Sequence, residues 1–222
     1  MSGEILEHIE LETGNEPSAT VIWLHGLGAD GHDFEPIVPL LELPDELAVR
    51  FVFPHAPERE VTINNGVRMR AWYDMNPSQG PNSGDANIKE SALQIEALLE
   101  REIERGLSSR RLILAGFSQG GVIALHTGLR YRRPLAGILA LSTYLHDHAR
   151  LADEYSFENL DTPIMMAHGL MDPMIQIARG VSAREELLKL NYQVEWFEYA
   201  MGHEVCPQEL ADISRWLTLR LT

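Results

Sequence analysis

Gly116-Phe117-Ser118-Gln119-Gly120 carries the strongest chemical signal in the chain. An apolar run, Leu112 to Ala115, leads into it, and a helix-like stretch, Val122 to Leu129, follows. A serine between a buried strand and a helix sits on a sharp, strained turn, and the small Gly116 and Gly120 let that turn close. The hydroxyl is then held clear of the sheet at the positive end of the helix dipole, where a developing oxyanion is favoured. Ser118 is the candidate nucleophile. The backbone N–H of Gln119 is a candidate oxyanion donor.

A serine nucleophile needs a base, and the chain has nine histidines. His8 lies in an N-terminal strand, His126 mid-helix, and His146 and His148 in a polar connector; His55 and His168 follow strands. His203 differs, because Met201-Gly202-His203-Glu204 stands between the last strand and the last helix. Functional groups of an open α/β sheet collect at the carboxyl ends of its strands. The acid that orients the histidine should emerge there too. Asp172 does so, following the run Pro163 to Ala167 through His168-Gly169-Leu170-Met171. Asp147 and Asp153 lie in the polar connector, and Asp161 precedes its strand. The order Ser118, Asp172, His203 is the α/β-hydrolase order.

The second oxyanion donor should come from an early strand-to-helix loop. His25-Gly26-Leu27-Gly28 occupies that place and nominates the Leu27 N–H. No metal site is expected: His146-Asp147-His148 offers two histidines without a third ligand. No cofactor is expected either, since Gly26-Leu27-Gly28 lacks the spacing of a dinucleotide fingerprint and there is no P-loop. Cys206 reads as a small packing residue.

The elements that must position these groups follow from periodicity. Strands are expected at Glu4–Leu11 (an edge), Ala19–Leu24, Arg50–Pro54, Leu112–Ala115, Leu135–Leu141, Pro163–Ala167 and Val194–Tyr199. Helices are expected at Asp33–Leu43, Asn87–Gly106, Val122–Leu129, Ile175–Leu190 and Gln208–Leu219. Glu58 to Ala86 reads as a long loop bearing Met69, Trp72, Tyr73 and Met75; loops of that length tend to be functional. His146 to Asn159 reads as polar connection. Strands alternating with helices argue an α/β fold, a mostly parallel central sheet with helices on both faces. No repeat or linker breaks residues 1–222, so a single domain is expected.

A net charge of −15 opposes nucleic acid and anionic bilayers, which need a basic footprint. One cysteine cannot form an internal disulfide, and no run is long and apolar enough for stable membrane insertion. The N-terminus lacks the basic-then-apolar pattern of a signal peptide. A cytoplasmic protein is expected. The sequence leaves a homodimer open.

With these residues placed, the chain resembles the carboxylesterase and acyl-protein thioesterase family of α/β-hydrolases, most closely its small bacterial carboxylesterases. The resemblance rests on Leu24-His25-Gly26-Leu27-Gly28, Pro54-His55-Ala56-Pro57, Val61-Thr62-Ile63-Asn64, Trp72-Tyr73-Asp74, Leu114 to Gly121, His168-Gly169 with Asp172, and Gly202-His203-Glu204. It runs from about residue 20 to the C-terminus and implies an α/β-hydrolase fold. It also implies a cofactor-free serine esterase acting on short- to medium-chain acyl esters, with protein-deacylating thioesterase or lysophospholipase activity as alternatives. The implied triad is Ser118, Asp172 and His203, with Leu27 and Gln119 as backbone donors. Trp72, and with it Met69 and Tyr73, would border the substrate. Met69-Arg70-Ala71-Trp72 departs from the Met-Pro-Ser-Trp of many relatives and sets a long cation beside the expected pocket. A non-catalytic ligand-binding protein on the same fold would be expected to have a damaged triad or loop, and every part is present here.

Overall fold

Apolar runs become strands where every residue can be buried on both faces, and helices where only one stripe can. The computed structural model describes residues 5–222, apart from the side chains of residues 79, 81 and 82. In chain order it contains β1 (His8–Glu12), β2 (Ala19–Leu24), β3 (Val49–Pro54), β4 (Glu58–Val61), β5 (Val67–Arg70) and α1 (Asp85–Glu104). Then come β6 (Leu112–Phe117), α2 (Gln119–Arg130), β7 (Gly137–Leu141), α3 (His148–Glu154), β8 (Ile164–Gly169), α4 (Ile177–Lys189), β9 (Val194–Tyr199) and α5 (Pro207–Leu221).

Seven strands form one sheet in the order β1-β3-β2-β6-β7-β8-β9. The β1 edge runs antiparallel to β3, and every other pairing is parallel. β2, β3, β7 and β8 are buried at every residue, as strands covered on both faces must be. Alternate side chains serve opposite cores. Val21, Trp23, Phe51 and Ile113 pack with Ile213, Trp216 and Leu217 of α5. Ile22, Leu24 and Leu114 pack with Ile95 and Leu99 of α1 and Ile123 of α2. Among the described residues, no helix is long and apolar enough to cross a membrane.

Three segments depart from expectation. Asp33–Leu43 yields only a 3-10 helix, Glu35–Leu41, because Pro39 inside it cannot donate the α-helical hydrogen bond. The expected loop Glu58–Ala86 contains the antiparallel hairpin β4–β5 and short 3-10 turns at Thr62–Asn64 and Pro77–Asn82. Its strands are four residues each and rich in Arg and Glu, too short to show an alternation. The polar connector includes α3, which buries only Leu151 and so presents no apolar stripe. Glu4, the expected start of the first strand, lies outside the described residues.

Candidate active site

The end of β6 builds the nucleophile. Ser118 has φ 55° and ψ −118°, and its N–H donates to the Leu141 carbonyl at 2.9 Å. That positive φ is rare for a residue with a Cβ and marks stored strain. Two glycines let the turn exist. A Cβ at Gly116 would collide with the Gly120 carbonyl, and one at Gly120 with the carbonyls of Leu24 and His25. α2 therefore starts pressed against β2, with Ser118 at its N-terminus.

His203 comes from the loop between β9 and α5. Its Nε2 lies 2.9 Å from Ser118 Oγ and its Nδ1 2.7 Å from Asp172 Oδ2. Asp172 follows β8 with its side chain fully buried. Its Oδ1 accepts the N–H groups of Met174 and Ile175, each at 2.8 Å. A carboxylate that accepts on both oxygens calls for a donor at His203, so Nδ1 carries the proton. Nε2 is left to accept from Ser118. The Phe117 ring, 4.7 Å from the imidazole centroid, covers one side of it. Behind Asp172, buried His168 donates Nε2–H to the Ile175 carbonyl at 2.8 Å and stands 3.5 Å from Asp172 Oδ2.

Leu27 and Gln119 both line the cavity in front of Ser118. The Gln119 N–H belongs to the first turn of α2 and has no carbonyl four residues back within the helix. Among the described residues neither N–H has a hydrogen-bond acceptor, while those of neighbouring Gly28 and Ala29 are bound to the Arg70 and Gly26 carbonyls. The loop is held by His25. Burial pushes its imidazole down to about 4, so it stays neutral at ordinary pH. Its Nε2 accepts the Ala56 N–H at 3.1 Å, and its Nδ1–H donates to the Gly26 carbonyl at 2.7 Å.

The cavity has a volume of about 410 Å³. Ile63, Met75, Met174 and Ile175 supply apolar wall, and Tyr73, Tyr144, Arg179 and Asp33 supply polar groups. Of the three residues expected to border substrate, Tyr73 lines this cavity, and Trp72 and Met69 do not. Trp72 is fully buried in the core beneath. Its indole N–H donates to the His25 carbonyl at 2.9 Å, its backbone N–H donates to Gln119 Oε1 at 2.7 Å, and Gln119 Nε2 donates to the Tyr73 carbonyl at 2.8 Å. Gln119 thus contributes its backbone to the cavity while its side chain clamps the Trp72 segment. Met69 also falls outside the lining; its Sδ accepts from Asn64 Nδ2 at 3.3 Å and so backs a residue that does line it. Arg70 points away, donating to the Ala56 carbonyl at 2.9 Å.

Trp72 therefore acts through packing. Trp72→Ala is expected to cost about 3–5 kcal/mol of stability, as large aromatic truncations in cores do. Ester turnover should fall on all chain lengths together, in step with folded protein. Thermal unfolding beside a chain-length series checks this, and a changed ranking at unchanged melting temperature would count against it. The groups that the sequence did not single out are Tyr144, Arg179 and Phe117. Phe117 lies inside the Gly116–Gly120 motif, but Tyr144 sits past a strand end and Arg179 on a helix with many charges, where periodicity gives no cue. His146, half of the discounted metal pair, is bound to Asp85 at 2.6 Å.

A strained serine after a central parallel strand, hydrogen-bonded to a histidine after the last strand, defines a serine hydrolase of the α/β-hydrolase fold. The chain belongs to the phospholipase/carboxylesterase family, whose model matches residues 7–221. It is 39% identical over 215 residues to acyl-protein thioesterase 1 of Neurospora crassa, covering 92% of this chain and 87% of that protein. Among solved structures, Arabidopsis thaliana SOBER1 superposes with a TM-score of 0.86 at 30% identity, over 92% of this chain and 99% of that one. Zea mays acyl-protein thioesterase 2 gives 0.86 at 25% identity, over 98% and 100%.

Proposed function

We propose that the protein hydrolyses short- to medium-chain acyl esters through an acyl-enzyme on Ser118. The observation that carries this reading is the unbroken hydrogen-bond chain from Ser118 through His203 to Asp172, opening on the cavity that Leu27 and Gln119 also line. Ser118 Oγ attacks the acyl carbonyl as His203 Nε2 takes its proton. The carbonyl oxygen becomes an oxyanion held by the Leu27 and Gln119 N–H groups. Collapse breaks the bond to the leaving group, which receives the proton from His203. Water then attacks the acyl-enzyme with His203 again as base, releasing the acid and restoring Ser118. Asp172 holds the productive tautomer and stabilises the imidazolium.

Acyl thioesters are the second substrate class. The same machinery expels a thiol, and the 39% identical relative is named an acyl-protein thioesterase. Lysophospholipids extend the ester class. The single cysteine needs no oxidising compartment, which supports a cytoplasmic site of action. The test is a panel of aryl esters of rising chain length, acyl thioesters and a lysophospholipid, with Ser118→Ala as control. Turnover of short esters above that control is expected. The proposal fails if no ester or thioester is turned over faster than by the variant.

A further inference from the structure

Part of the cavity wall is polar. Arg179, the third residue of α4, stacks its guanidinium on the Tyr144 ring, with Cζ 3.4 Å from the ring centroid. The Tyr144 hydroxyl in turn lies 2.9 Å from that of Tyr73, which is buried. All three groups line the same cavity as Ser118. We propose that the Arg179–Tyr144–Tyr73 wall is a subsite for an anionic group, carboxylate or phosphate, carried by the substrate at a distance from its scissile ester. The proposal rests on the esterase reading above.

Three observations support it. First, Arg179 has no counter-ion among the described residues. Among the described residues it forms no ion pair and no side-chain hydrogen bond, in a chain of net charge −15. Arg150, from the neighbouring α3, is by contrast bound to both Asp85 and Asp147. A guanidinium left without a carboxylate in so acidic a molecule is available to a ligand. Second, it is oriented. Stacking on Tyr144 occupies the face of the guanidinium and leaves its edge N–H groups to form the bidentate fork that fits carboxylate and phosphate oxygens. Third, the tyrosine pair adds a donor. Two hydroxyls bonded to each other use one proton between them, so the second remains for an acceptor.

Charge on the rest of the wall sets where the anion can lie. Asp33 also lines the cavity, and burial beside Asp30 holds its carboxyl above the usual range. It would repel an anion placed near it once ionised. The anionic group therefore belongs against Arg179, with the ester carbonyl at Ser118.

The test compares neutral and anionic esters of matched shape in two arms. Methyl butyrate against monomethyl succinate places the charge on the acyl side. 1-Butyrylglycerol against 1-butyrylglycerol 3-phosphate places it on the leaving-group side. Each pair is measured as a ratio of kcat/KM, by pH-stat, for the wild type, Arg179→Met and Arg179→Lys. The ratio of anionic to neutral ester is expected to fall at least tenfold in Arg179→Met in one arm, and to recover in part in Arg179→Lys. The arm that responds identifies the source of the anion. Ratios unchanged in both arms, while the neutral esters are turned over, overturn the anion subsite alone. Equal loss on charged and neutral partners, tracking a lowered melting temperature, assigns Arg179 to packing and overturns it as well. A wild type that hydrolyses no ester at all instead defeats the esterase reading beneath it.

Discussion

Ser118→Ala is expected to reduce kcat on every ester by about 10⁶, the scale seen when the nucleophile of a comparable triad is removed. The fold should survive, because the change deletes one hydroxyl and keeps the Cβ that the elbow already accommodates. The backbone bond from Ser118 N–H to Leu141 is also unaffected. The remaining rate over water would come from the oxyanion donors and binding alone. A fluorophosphonate should add once per wild-type chain, at Ser118, as read by intact mass and peptide mapping. The variant should take up none. Labelling that persists in Ser118→Ala, or turnover within tenfold of wild type, would remove Ser118 from the chemistry. Cys206 would be the first alternative to examine, since it is free and only partly buried at the start of α5.

Where sequence and structure agree, the agreement has a physical cause. β2, β6, β7 and β8 are central parallel strands, so their sequences are continuous apolar runs that end abruptly. Ser118 and Asp172 sit just beyond the ends of β6 and β8, which is why position relative to an apolar run located them; His203 follows the edge strand β9, whose run is mixed, and was located by its place between the last strand and the last helix. Trp72 shows the limit of that reasoning. A tryptophan in an irregular segment can face a ligand or plug the core, and composition does not distinguish them. Only its hydrogen bonds to His25 and Gln119 do. β4 and β5 are illegible because strands of four residues, several of them charged, form only through the partner opposite. Arg179 was illegible for another reason. On α4 it is one cation among several charged positions, and its stacking on Tyr144 joins two segments far apart in the chain.

Asp172→Asn is expected to lower kcat by about 10⁴ with little change in melting temperature, the result of the equivalent change in a comparable triad. The geometry explains how an almost isosteric substitution could do this. Asp172 Oδ1 accepts the N–H groups of Met174 and Ile175, so it must remain an oxygen. The asparagine NH₂ is then forced into the place of Oδ2, facing His203 Nδ1 across 2.7 Å. An NH₂ donates there, so Nδ1 must accept and the imidazole proton moves to Nε2. His203 would then present a proton, not a lone pair, to Ser118 Oγ 2.9 Å away. The base is lost while every heavy atom stays in place. His168 Nε2–H, 3.5 Å from the Oδ2 position, opposes an NH₂ there, but this one long contact is outweighed by the two 2.8 Å backbone bonds that keep the oxygen at Oδ1. Asp161→Asn is the control, an exposed residue before the amino end of β8. Its kcat should remain within about tenfold of wild type, since surface changes act only weakly on stability. The kinetics of both variants, with circular dichroism melts to establish folding, decide the matter. Should Asp161→Asn be folded and inactive while Asp172→Asn keeps its rate, Asp172 is not the acid that orients His203.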